Sequence, residues 1–202
     1  MLFEDNYKEI EFNSTASHTI KKSKFISYAY KVYNTQEIKK TIQIVKQKEP
    51  SANHHCYAYI LNPDKSDFRF FDDGEPSYTA GRQILKEIQR FELTNTLIIV
   101  ARYFGGIKLG ISGLIDAYKS STTLVIKSLN IITKNIESKY IIKFNYKNIH
   151  NTMKIIKDYN IPIIDKEINT KCKFTILISK KNSDEIIQKM NKLNLEIKYQ
   201  MH

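Results

Sequence analysis

The residues best suited to chemistry lie in two short runs. One reads Phe-Asp-Asp-Gly-Glu-Pro-Ser-Tyr-Thr-Ala-Gly-Arg from Phe71 to Arg82, and the other reads Ala-Arg-Tyr-Phe-Gly-Gly-Ile-Lys-Leu-Gly-Ile-Ser-Gly from Ala101 to Gly113. All six glycines of the 202-residue chain fall inside them. Because glycine admits positive φ and close backbone approach, such a concentration marks two loops whose backbone shape matters. In the second run Arg102 and Lys108 bracket Gly105 and Gly106, and Gly110 opens the way into a helix. A strand, glycine loop and helix in that order can present backbone N–H groups and a helix N-terminus to phosphate, with Arg102 and Lys108 as cationic partners. Lys108 precedes its nearest following glycine, so this is not a nucleotide-hydrolysing Walker loop, and the spacing is not that of a dinucleotide fingerprint.

In the first run Asp72, Asp73 and Glu75 surround Gly74. Two accounts compete for them: a hard divalent cation bridging to phosphate, and the simpler one in which acidic residues offset the dipole of the following helix, capped by Ser77 or Thr79. Tyr78, Tyr103 and Phe104 interleave with Arg82, Arg102 and Lys108, a mixture suited to stacking on bases. His54, His55 and Cys56 are adjacent, but on a strand only His54 and Cys56 share a face, too few for a metal site. No serine sits in a nucleophile elbow. No catalytic residue, cofactor or metal is expected.

These runs need a scaffold. Tyr7–Asn13 and Lys24–Val32 read as strands, Thr35–Lys48 as a helix capped by Thr35, and His54–Leu61 with Phe68–Phe71 as a hairpin turning through Asn62, Pro63 and Asp64. Thr79–Phe91 reads as a helix, Thr96–Ala101 as a buried strand, and Ser112–Leu129 as a long helix. The order β-β-α-β-β-α-β-α describes a helix-backed sheet whose two glycine loops lead into helices. Beyond Asn130, strands at Lys139–Asn145, Ile161–Asn169, Cys172–Ser179 and Leu195–Met201 alternate with helices at Lys147–Tyr159 and Ser183–Leu193. That is β-α-β-β-α-β, the ferredoxin-like connectivity. The expected fold class is therefore α+β, with domains at 1–132 and 133–202.

Charge narrows the partner. Lys and Arg number 32 against 21 Asp and Glu, a net +11 that favours a polyanion such as RNA or a ribosome. Residues 1–130 hold 18 basic and 14 acidic side chains, and residues 131–202 hold 14 and 7. The smaller part is the more basic, but its lysines are scattered along the sequence, which favours a solvated surface over a dedicated groove. Two widely separated cysteines suggest free thiols and a reducing compartment. The N-terminus lacks a signal pattern, and no apolar run reaches the ~20 residues of a membrane span. A cytoplasmic protein is expected.

The two runs, with Gly113-Leu114 and Ala117-Tyr118, resemble the hallmark segments of the IMPACT/YigZ family. The resemblance implies a first domain like domain IV of elongation factor G and the ribosomal small-subunit S5-type domain, and a ferredoxin-like second domain similar to those of elongation factors. It also implies association with RNA or the ribosome and a role in translation regulation; Arg82, Arg102, Tyr103, Gly105, Gly106, Lys108 and Gly110 are then the nucleic-acid-binding set, with Arg82, Arg102 and Lys108 on phosphates, Tyr78 and Tyr103 stacking, and the glycines shaping the backbone. Animal and fungal members are linked to translational control through an added N-terminal protein-binding domain. The segment ahead of the first motif is too short for that domain, so that branch of regulation is not expected. Where the family commonly has Gly, Pro, Gly and Arg, this chain has Tyr78, Gln83, Ser112 and Asp116. The competing readings are a metal-dependent enzyme on a phosphorylated ligand, with Asp72, Asp73 and Glu75 holding the ion, and an adaptor binding a protein through its C-terminal domain.

Overall fold

A computed structural model describes residues 5–200. The chain divides into two compact units, Tyr7–Lys134 and residues 135–200 with residues 5–6. The first unit begins with β1 (Asn6–Ile10), β2 (Ser14–Ile20) and β3 (Ser23–Lys31), followed by helix α1 (Thr35–Lys48) and the hairpin of β4 (His54–Leu61) and β5 (Asp67–Phe71). Helix α2 (Gly81–Arg90), strand β6 (Thr96–Tyr103), helix α3 (Gly110–Lys127) and strand β7 (Ile131–Asn135) complete it. Its main sheet has the order β2-β3-β6-β4-β5, with every neighbouring pair antiparallel.

Alternation along the central strands explains why both faces are covered. Ile98 and Val100 of β6 join Cys56, Ala58 and Ile60 of β4 beneath α2 and α3, together with Ile84, Ile88, Ala117 and Val125. Leu97 and Ile99 turn the other way and pack with Tyr59 and Leu61 against Ile38 and Val45 of α1. The helix α1 is capped by Asn34, not Thr35: the Asn34 side chain accepts from Glu37 N at 2.9 Å while Glu37 accepts from Tyr33 N at 2.8 Å. This reciprocal pair satisfies two backbone donors that Thr35, already inside the helix, cannot reach.

Two strands were not expected. β2 has small and polar residues, Ser-Thr-Ala-Ser-His-Thr-Ile, and lies at the sheet edge, where only Ala16 and Ile20 join the core. β7 is a five-residue strand paired with β1 in a separate ribbon. That ribbon is tied to the main sheet by Glu9, whose buried carboxylate takes Lys31 of β3 at 2.8 Å and Lys134 of β7 at 2.7 Å.

The second unit runs β8 (Glu137–Asn145), α4 (Ile149–Asp158), β9 (Ile163–Glu167), β10 (Lys171–Ser179), α5 (Ser183–Lys192) and β11 (Glu196–Gln200). Its antiparallel sheet has the order β11-β8-β10-β9. The connectivity is β-α-β-β-α-β, as read from the sequence, with strand limits shifted by one or two residues. Ile142, Phe144, Cys172, Phe174, Ile176 and Ile178 line the sheet's inner face and meet Ile156, Ile186 and Met190 from the helices. Among the described residues no helix is long and apolar enough to cross a membrane.

Candidate functional site

Both glycine loops lead into helices of the first unit, and the two helix starts are treated in opposite ways. At α2 the start is closed by Asp72. Its carboxylate accepts from Tyr78 N at 2.9 Å, Ala80 N at 3.1 Å and Gly81 N at 2.8 Å. One carboxylate thus serves three donors and sets a negative charge against the helix dipole. Ser77 and Thr79 do not cap this helix; the Thr79 hydroxyl donates back to Pro76 O instead.

The remaining acidic residues of this loop are committed elsewhere. Asp73 accepts from His55 N at 2.6 Å, and its carbonyl takes His54 Nδ1–H at 2.8 Å. Glu75 is buried, accepting from Arg102 Nη1 at 2.6 Å and from Tyr118 Oη at 2.8 Å. Three carboxylates adjacent in sequence therefore face three different partners. Among the described residues no three His, Cys, Asp or Glu side chains gather to hold a metal ion.

Behind Glu75 the polar network continues inward. The Cys56 thiol donates to Asp72 O at 2.9 Å, and its Sγ also lies 3.3 Å from Tyr118 Oη. Burial pushes the Cys56 thiol up, reinforced by the Glu75, Asp73 and Asp72 charges against one opposing hydrogen bond with Tyr118. Burial likewise holds the Tyr118 phenol well above its ordinary value, with Cys56 and Glu75 adding to it. Cys56 therefore stays a thiol at neutral pH and supplies no thiolate nucleophile.

At α3 the start is open. No side chain caps it, no acidic residue lies in its first turn, and Gly110 enters it at φ +74°. Lys108 is exposed just ahead of it. Lys108, Gly110 and Ile111 share a cleft of about 430 Å³ with Pro76, Phe104 and His54, and Arg102 and Glu75 form its buried wall. The Arg102 guanidinium lies 5.6 Å from the centre of the Phe25 ring and 5.8 Å from that of Phe104. Its Nε is buried with no hydrogen-bond partner in the structure. The loop that carries Lys108 is fixed by Gly105: a Cβ there would sit 2.0 Å from the Lys22 carbonyl carbon, so only glycine lets this loop cross the β2–β3 turn.

The structure separates the seven residues expected to bind nucleic acid. Lys108, Gly110 and Arg102 line the cleft, and Gly105 and Gly106 form the loop beside it. Arg102 differs from Lys108 in having its charge already balanced by Glu75. Arg82 stands on α2, exposed, with its guanidinium 5.0 Å from the Tyr78 ring. Tyr103 is on the opposite face of the sheet, donating to Glu49 Oε2 at 2.5 Å. Successive strand residues point to opposite faces, so Arg102 and Tyr103 cannot both reach one cleft. The sequence reading did not single out Asn53, whose side chain accepts from Phe104 N at 2.8 Å, nor the pairing of Glu75 with Arg102. Tyr118, named in the sequence only as part of the Ala117-Tyr118 family segment and given no role there, is the third member of that pairing. The one available signal was that Arg102 continues the inward phase of Ile98 and Val100.

The departures from the family pattern also find places. Tyr78 adopts φ +67°, the left-handed conformation that a glycine takes readily. Its N–H is held by Asp72, its carbonyl accepts from Gln83 Nε2 at 2.7 Å, and its ring packs on Phe70. Two of the departures thus support each other. Asp116 lies away from the cleft, in a separate shallow groove with Arg90, Lys119 and Lys127.

The family model of the Impact N-terminal domain matches residues 21–126, just over half of the chain and both glycine loops. The chain belongs to the IMPACT family. It is 38% identical over 117 residues to IMPACT family member YvyE of Bacillus subtilis, covering 58% of this chain but only 54% of that protein. With an IMPACT family member of Haemophilus influenzae it shares 29% identity over 176 residues, 84% of this chain and 85% of the relative. IMPACT family member YigZ of Escherichia coli is 33% identical over 134 residues, 65% of this chain and 66% of that protein. A crystal structure described only as a hypothetical protein matches 98% of both chains at a TM-score of 0.72 and 24% identity, which establishes a shared fold.

Proposed function

We propose that this IMPACT family chain is a non-enzymatic factor of translation that binds RNA or the ribosome, holding phosphate at the start of α3. The observation that carries this reading is the uncapped α3 N-terminus beside the exposed Lys108, backed by Arg102 with an unpartnered Nε. A cation next to the positive end of a helix is unfavourable on its own, and an anion relieves both. Phe104, 47% exposed at the cleft wall, offers a ring face to a base. The net charge of +11 and the family's link to translational control point the same way. So does the fold implied by the resemblance, that of elongation factor G domain IV and the ribosomal S5-type domain. Against the metal-dependent alternative stand the donors already on these carboxylates: Asp72 takes three backbone N–H groups, Asp73 takes His55 N, and Glu75 takes Arg102 and Tyr118.

Filter binding of structured and single-stranded RNA across a salt series tests the reading. Wild type binds at low salt and weakens as salt rises, and Lys108→Ala weakens binding to both RNAs alike while flattening the log–log salt slope by about 0.7–0.9. Absence of binding at low salt, or an unchanged Lys108→Ala, contradicts it.

A further inference from the structure

We infer that the second unit carries its own nucleic-acid surface, a lysine-lined groove at one end of its sheet that takes a phosphate backbone. The groove measures about 760 Å³ and is lined by Lys143, Lys147, Lys171, Lys173 and Lys192, with Glu196 as its one carboxylate. These residues are scattered over 54 positions of sequence, and the topology gathers them: the end of β8, the short 3-10 turn after it, the start of β10, the end of α5 and the start of β11 meet there.

Five lysines against one carboxylate leave this groove with an excess of positive charge. Glu196 is 3.1 Å from Lys198, outside the groove, and Lys173 is paired with Glu167 at 2.8 Å. Among the described residues Lys143, Lys147, Lys171 and Lys192 make no ion pair, and all four are exposed. Lys143 and Lys173 stand opposite each other in the β8–β10 register and are flanked across the sheet by Glu196 and Glu167, so the excess positive charge of the groove lies with Lys147, Lys171 and Lys192. An anionic partner offsets that excess charge. Nucleic acid fits better than an acidic protein, because protein interfaces are depleted in lysine and rich in aromatic anchors, whereas backbone-binding grooves are dense in lysine. The groove shares no residue with the α3 cleft, so this inference stands apart from the reading of that site.

The test is filter binding by the full chain to an RNA and a DNA of the same sequence, across a salt series. The groove variant is Lys143→Gln/Lys171→Gln/Lys192→Gln, and its charge-matched control is Lys39→Gln/Lys40→Gln/Lys46→Gln on the exposed face of α1. The groove triple lowers affinity about tenfold or more at low salt and flattens the single-strand salt slope by about 2, while the control stays within about twofold. Equal losses in both triples, no loss in the groove triple, or loss of polyglutamate binding in place of nucleic-acid binding overturns the inference. Lys108→Ala in parallel separates the two sites: loss there with an intact groove triple leaves only the cleft, and the reverse leaves only the groove. Thermal unfolding confirms that each variant is folded.

Discussion

Arg102 and Lys108 are six positions apart in the same motif, yet only one of them has charge to spare. Arg102 is matched by Glu75 in a site where both side chains are less than a tenth exposed. Removing one partner of such a pair strands a buried charge, so Glu75→Leu or Arg102→Met is expected to cost about 3–5 kcal/mol. The double variant, which removes both charges, should cost less than either single change, and chemical denaturation reads the difference. Loss of RNA binding in an Arg102 variant would therefore report unfolding as much as contact, and Lys108 is the informative position. The sequence made both residues visible through the glycine motif. It did not make their difference visible, because the partner that balances Arg102 comes from another loop and is brought there only by packing. The same holds for Tyr78 and Gln83: the motif shows the departures, and only the folded loop shows that one carbonyl and one amide join them. Gln83→Ala is expected to destabilise by about 1 kcal/mol, measurable as a lower denaturation midpoint.

At the scale of elements, α2 and α3 make the sharper contrast, since one helix start is filled by Asp72 and the other is vacant. Ser112→Asp places a carboxylate in the vacant first turn. It is expected to raise stability by about 0.3–1 kcal/mol through the helix dipole while weakening RNA binding, and only a site that uses this helix start moves the two in opposite directions. Helices and the central strands were legible because their apolar spacing is strong; β4 and α1 have the limits read from the sequence. β2 and β7 were not, since an edge strand of small polar residues and a five-residue ribbon strand take their stability from neighbours rather than from their own pattern. Glu9 anchors that ribbon. Burial alone pushes its carboxyl up, but hydrogen bonds from Lys134, Lys31 and Asn95 outweigh burial and leave it below its ordinary value. A carboxyl held low in the folded state stabilises fully above its unfolded value, about 4.3, and that contribution disappears as pH falls through the folded value. The stability deficit of Lys134→Gln is therefore expected to be largest near neutrality and to shrink below about pH 4, as followed by thermal unfolding at several pH values.

The whole molecule pairs a unit holding the IMPACT motifs with a smaller, more basic unit. The smaller unit's net charge was readable by counting. Its groove was not, because 54 positions of sequence hide a convergence that only the β11-β8-β10-β9 order creates. Phosphate binding at the start of α3 is read residue by residue in amide NMR of the full chain titrated with a short single-stranded RNA. The Ile111, Ser112 and Gly113 amides are expected to shift progressively and Lys108→Ala to weaken the response, while the Ala80 and Gly81 amides held by Asp72 stay in place. Saturable RNA binding that leaves residues 110–113 unmoved would contradict phosphate binding at this helix start.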